Sequence, residues 1–184
     1  MDRDLQEFVS EFKAIRPKSR YIFLGDHGMV NVERYLDVEK IIKEIAQQGR
    51  LKLERDFVYF LDSTLMRLWT FSDKARTVFS ERLQSNTLLL QSGLFLNQDL
   101  AQVYHIPWND RRYGDIVWWA NPRVLVFPDF FHRTERSKAM HGYDPALPES
   151  QGMCISYGPG IAQQKIDTMP LTGIFQLLRE AVEV

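Results

Sequence analysis

Asp26 and His27 set a carboxylate beside an imidazole, directly after the apolar run Tyr21-Ile22-Phe23-Leu24 and between Gly25 and Gly28. Asp oxygen and His nitrogen are ordinary ligands of zinc and of other divalent transition metals. An ionised Asp and a neutral His carry one negative charge between them, which a dication offsets. The flanking glycines let the backbone turn sharply and come close to whatever the pair holds. The plainer alternative is a turn whose side chains cap a helix or satisfy local backbone groups. A second imidazole, His141, stands far down the chain before Gly142, between a polar loop and an apolar segment. On its own it reads as structural.

These residues need a scaffold that places them at one edge. The Tyr21 run is short, aromatic and partly β-branched, and it reads as a strand buried on both faces. In an open α/β sheet, ligands bind beyond the carboxyl ends of the strands, which is where Asp26 and His27 fall. Leu5, Phe8, Val9, Phe12 and Ile15 recur at helical spacing up to Pro17. Asp37 is placed to cap a helix that stops at Gly49. Strands are expected at Phe57 to Leu61 and Leu65 to Thr70, joined by Asp62-Ser63-Thr64, and Ser72 caps a helix to about Leu83. Thr87 to Leu90 reads as an edge strand, and Gln91 to Tyr113 as an irregular excursion. Asp115 to Ala120 and Val124 to Phe127 are apolar segments on either side of Asn121-Pro122-Arg123. Trp118 and Trp119, adjacent in a strand, put one ring on each face. Gly152 to Tyr157 is expected to be a short buried strand, and Pro170 to open a last helix through Leu171, Ile174, Phe175, Leu178 and Val182. The expectation is an α/β fold, a mostly parallel sheet flanked by helices, as one domain over residues 1–184.

Composition narrows the function classes. The 184 residues are 45% hydrophobic and 26% charged, with a formal net charge of -1. No bulk positive field exists for nucleic acid or an anionic membrane, so an anionic substrate must be held locally. Arg111 and Arg112 have the chemistry to meet a phosphate, but such a pair more often lies solvated on the surface. His105 and His132 read as surface or packing histidines. The single cysteine, Cys154, reads as a small buried hydrophobe. The polar, acidic start is not a signal peptide, and no apolar run reaches membrane-spanning length; the expected location is the cytoplasm.

Three blocks in order resemble the alkaline phosphatase superfamily, in its branch of type I phosphodiesterases and nucleotide pyrophosphatases. Phe23-Leu24-Gly25-Asp26-His27-Gly28-Met29 is similar to the "SDHGM" turn of that family. Arg112-Tyr113-Gly114-Asp115-Ile116-Val117 with Asn121-Pro122 resembles its "R-x-GDIV" segment, and His141-Gly142-Tyr143-Asp144 followed by Gly152-Met153 and Gly158-Pro159-Gly160 its "HGYDN … GP" ending. The resemblance implies two divalent metal ions, zinc before manganese or iron. Asp26 and His27 would serve one and His141 the other, acting on a small phosphodiester or nucleotide. It also implies a Thr or Ser nucleophile, a further aspartate and a D-x-x-x-H pair ahead of the DHGM turn. No D-x-x-x-H occurs before residue 26, and nothing in the chain replaces the expected aspartate and nucleophile. The chain therefore reads as the C-terminal part of such a domain, missing its N-terminal strands. Its open sheet would be covered by a second polypeptide or by a homo-oligomer. Two rival readings remain at this level. One is a non-catalytic assembly module of the same fold. The other is a sulfatase, phosphonate hydrolase or phosphomutase of the same superfamily.

Overall fold

A computed structural model describes residues 2–108, 110–161 and 168–182. In chain order the first elements are α1 (Asp2–Ile15), β1 (Tyr21–Gly25), β2 (Val30–Asn31), β3 (Arg34–Leu36) and α2 (Val38–Gly49). They are followed by β4 (Phe57–Leu61), β5 (Leu65–Thr70), α3 (Asp73–Gln84), α4 (Thr87–Ser92), β6 (Gly93–Phe95) and α5 (Gln98–Val103). The last are β7 (Ile116–Ala120), β8 (Val124–Val126), β9 (Ala139–Met140), β10 (Met153–Tyr157) and α6 (Gly173–Val182). The chain gathers into two compact units, residues 1–26 with 152–184, and residues 27–151.

In the larger unit, a four-stranded sheet in the order β4-β5-β7-β6 carries the core. β5 alternates half-buried Leu65, Arg67 and Trp69 with buried Met66, Leu68 and Thr70, the pattern of a sheet with one face covered. Met66 lies opposite Trp118 and Leu68 opposite Ile116, so these side chains share the inner face. Helix α2 turns Ile41, Ile42, Ile45 and Ala46 inward, and α3 packs on α2, α4 and β5. Trp118 is fully buried, and its indole N–H donates to the Leu89 carbonyl at 3.1 Å, so the largest core side chain leaves no unpaired donor. Asp37 caps α2 through Lys40 N, and Ser72 caps α3 through Ala75 N.

The expectation of a mostly parallel sheet is corrected here. Among the described residues, β3 and β8 form a parallel ladder, whereas every ladder of the four-stranded sheet is antiparallel. The reason is visible in the connection: Asp62, Ser63 and Thr64 are too few for a parallel crossover, which needs a dozen or more residues. Thr87 to Leu90 is helical rather than an edge strand. The Asn86 side chain accepts from Leu89 N, and of the three leucines only Leu89 is buried. Four apolar residues carry too little periodicity to separate the two conformations, and the N-cap decides. Helix α2 runs through Gly49, and Arg50 takes the left-handed conformation after it, at φ 52°.

The GDIV aspartate is a latch at the start of β7. Asp115 accepts from the Thr70 backbone N–H at 2.7 Å and from its hydroxyl at 3.1 Å, and the Arg111 guanidinium grips it through two nitrogens. Arg112 pairs with Asp110. Both arginines are thus engaged with neighbouring carboxylates. Burial pushes the Asp115 carboxyl up, but the Arg111 guanidinium and the Thr70 donors outweigh it and hold it below the usual carboxylate value of 3.8. A lowered folded value means a contribution that is complete above the unfolded value and is lost as pH falls through the folded one. Asp115→Asn is therefore expected to lower stability at neutral pH and to flatten the acid limb of a stability-against-pH curve below about pH 4. Equal acid limbs in the two proteins would refute this.

In the smaller unit, β1 pairs antiparallel with β10. Helix α1 sets Phe8 and Phe12 edge-on to Tyr21, with ring centroids 6.5 and 6.1 Å away. The expectation that these strands are buried is not met. Leu24, Met153, Ile155 and Tyr157 remain about half exposed, and every residue of β10 is exposed, Cys154 included. A two-stranded ribbon has too few neighbours to cover both faces. Helix α6 begins at Gly173, after a turn in which Gly173 N–H donates to the Pro170 carbonyl. The Val182 side chain lies outside the described residues. Among the described residues no helix is long and apolar enough to cross a membrane.

Candidate metal centre

The short β2–β9 ladder pairs Val30 with Met140 and Asn31 with Ala139. In that antiparallel register His27, three residues before Val30, and His141, directly after Met140, leave the ladder at the same end. Their imidazoles stack with ring centroids 3.8 Å apart and planes inclined by 17°. Both residues are exposed. Asp26 is the last residue of the smaller unit before the chain enters the larger one at His27. Among the described residues, no group of three or more His, Cys, Asp or Glu is assembled to hold a metal ion. The larger unit thus brings together two of the three candidate ligands.

His27 Nδ1 lies 2.8 Å from the Gly28 carbonyl oxygen. A carbonyl only accepts, so this contact requires Nδ1–H, and the neutral ring then keeps its lone pair on Nε2. A backbone carbonyl on one ring nitrogen is the usual way a metal-ligating His is oriented.

Gly28 is required by close approach. A Cβ there would meet the Glu149 carbonyl oxygen at 2.1 Å and that of Gln151 at 3.0 Å. Its N–H donates to Ser150 O at 3.1 Å. The glycine beside the histidine therefore lets residues 149–151 close over the turn.

The segment from His141 to Asp144 is held on several sides. The Gly142 carbonyl accepts from the Thr64 hydroxyl and from the Trp119 indole N–H, each at 2.9 Å. Buried Tyr143 donates its hydroxyl to Val124 O at 3.0 Å, and burial pushes that phenol up to about 12, keeping it a neutral donor. The Tyr104 hydroxyl donates to Asp144 at 3.1 Å, and Asp144 accepts from Ala146 N. Sequence reasoning did not find Thr64, Trp119 or Tyr104. They come from a turn, a strand and a helix end, and nothing in their local sequence marks them.

The other two histidines behave as packing and surface residues. His132 sits on the fully buried Asp129 carboxylate, which also accepts from the backbone N–H groups of Phe131 and His132 and from the Ser63 hydroxyl. His105 is exposed, in a left-handed conformation at φ 54°.

The sequence matches no protein-family model and no curated protein. Solved structures do match. Murine ectonucleotide pyrophosphatase/phosphodiesterase 5, in an inactive form in complex with AMP, aligns at a TM-score of 0.74 and 18% identity, covering 100% of this chain and 46% of that one. Another structure of the murine protein aligns at 0.62 and 18% identity, covering 86% of this chain and 39% of that one. The human counterpart aligns at 0.74 and 17% identity, again over 100% of this chain and 46% of that one. The chain thus spans less than half the length of these structures, and at such identity what is shared is the fold. This chain carries the fold of a part of ectonucleotide pyrophosphatase/phosphodiesterase 5.

Proposed function

We propose that this chain supplies part of a two-metal site for hydrolysis of phosphodiester or nucleotide pyrophosphate bonds. The observation that carries the reading is the His27–His141 pair, two imidazoles from distant parts of the chain stacked 3.8 Å apart, in a fold shared with phosphodiesterases. The donor chemistry fits a cation in part. The pair offers imidazole nitrogen, and Asp26 adds a carboxylate one residue before His27. In this reading Asp26 and His27 serve one divalent cation and His141 the other, with zinc the first candidate. Three ligands over two cations fall short of the roughly four that zinc takes. The remainder, and the nucleophile, would come from the rest of the fold. Two such cations, when bound, neutralise charge on both the attacking and the leaving oxygen of an in-line displacement. The chain's own residues hold the imidazoles in place: Gly28 O fixes the His27 ring, and the Gly142 clamp fixes the backbone beside His141. The substrate is a small phosphodiester or nucleotide, with neither nucleic acid nor a membrane as partner, in keeping with a net charge of -1.

The same reading includes a covering polypeptide. The half-exposed apolar residues of β1 and β10 form a surface that the remaining part of the fold would bury. The 184 residues made alone are expected to be oligomeric, poorly soluble or dependent on a second polypeptide. A monodisperse, cooperatively unfolding monomer would count against that. The test of function is metal analysis of the purified protein, then hydrolysis of an aryl phosphodiester with and without a polypeptide carrying the remaining part. Metal bound by this chain, with turnover that appears only with both parts, supports the proposal. Metal without turnover in the complete assembly favours the non-catalytic module.

A further inference from the structure

We infer that Thr64 and Trp119 are positioning residues for His141, acting through one backbone atom, the Gly142 carbonyl oxygen. This rests on the reading of His141 as a cation ligand and names what holds it. A carbonyl oxygen has two lone pairs, and both are used: Thr64 Oγ1 and Trp119 Nε1 each donate at 2.9 Å. The two donors are fixed relative to each other before they meet Gly142. Leu65, the residue after Thr64, pairs with Trp119 across the β5–β7 ladder, and Ala120 N donates to Thr64 O at 2.9 Å. The Trp119 ring is held edge-on by Tyr104 at 4.8 Å. Fixing this carbonyl fixes the peptide plane between Gly142 and Tyr143, one residue beyond His141.

The conformation at Gly142 fits that role. Its φ is +90°, and a Cβ there would stand 2.8 Å from Thr64 Oγ1, so the glycine both reaches the left-handed region and makes room for the donor. Thr64 is 3% exposed. A buried position of that shape accepts valine without a polar group to satisfy, whereas the hydroxyl here is directed at the residue after His141. On the other side, His141 follows Met140, which the β2–β9 ladder holds opposite Val30. The backbone of His141 is therefore held through both neighbours, as the supports of a metal ligand hold it in place.

The test compares the intact chain with Thr64→Val, Trp119→Phe and their combination, which remove the donors while keeping shape, and with Thr64→Ser, which keeps the hydroxyl. Two readouts are taken: contacts between the His27 and His141 ring protons by NMR without metal, and affinity for Zn2+ alone by calorimetry. In the combined variant the ring contacts are expected to vanish and Zn2+ affinity to fall about 10- to 100-fold, with Thr64→Ser close to the intact chain. Ring contacts that persist in the combined variant overturn the inference, as does an unchanged Zn2+ affinity where His141→Ala lowers it. If His141→Ala leaves Zn2+ affinity unchanged, the cation reading fails, and the ring contacts still decide the positioning. Should the combined variant lose cooperative unfolding, the single variants carry the test. Each is then expected to weaken the ring contacts in part, and two unaffected singles overturn the inference.

Discussion

Replacing His141 by alanine is expected to cost the complete assembly one of its cations and more than about 100-fold in turnover of an aryl phosphodiester. The scale follows from a comparison: loss of a group that only orients a ligand costs roughly 10- to 100-fold in affinity or activity, and loss of the ligand itself removes the donor outright. His141 is exposed, and its ring stacks on His27 rather than filling the core, so the fold should tolerate its removal. The expected signature is a lower metal-to-protein ratio at unchanged thermal stability in the metal-free state. His27→Ala should act on the companion cation, and the two losses should not add, because in-line displacement uses both cations together. Metal content and turnover that are both untouched by His141→Ala would remove the site assignment altogether.

The largest stability effect is expected away from the histidine pair, at Asp129. Its side chain has no exposed area, and its carboxylate accepts from Phe131 N at 2.8 Å, from His132 N at 2.5 Å and from the Ser63 hydroxyl at 2.8 Å. The His132 ring adds a contact at 3.2 Å. This one group joins the β4–β5 turn to the loop that follows β8. Asp129→Ala would leave the buried Ser63 hydroxyl and the part-buried N–H groups of Phe131 and His132 without their acceptor, and a donor left so costs about 1–3 kcal/mol where water cannot reach it. The total loss is expected to be on the order of 3 kcal/mol or more, a fall in melting temperature of roughly 6–12 °C for a chain of this size. Asp129→Asn can keep its Oδ1 toward the Phe131 and His132 N–H groups and donate its amide N–H2 to the Ser63 hydroxyl oxygen, so it should recover much of the loss, short of the extra strength of bonds to a charged acceptor. A denaturation midpoint within experimental error of the intact chain would show that the carboxylate is not the clamp described. Because Ser63 directly precedes Thr64, a loosened turn should also weaken the hold on Gly142. Its reach to the histidine pair can be read from the same ring contacts.

Much of the local structure was determined by the sequence. Asp37 and Ser72 announce helix starts because their side chains reach the third backbone N–H ahead, a strictly local geometry. The spacing of Ile41, Ile42 and Ile45 placed a helix, because that periodicity reports a single buried face. The resemblance in the Asp26-His27-Gly28, Gly114-Asp115 and His141-Gly142 blocks pointed to a fold that the structural comparison shares. The sequence could not determine strand direction, since parallel and antiparallel ladders use the same side-chain period, nor the exposure of β1 and β10, since burial depends on what packs against them. Only the tertiary structure decided that His27 and His141 stack, that Asp115 latches β5 to β7, and that Gly142 is held by Thr64 and Trp119. Each of these is a contact between residues far apart in the chain. No local pattern encodes such a pairing, because chain closure and packing, rather than propensity, bring the partners within hydrogen-bonding distance.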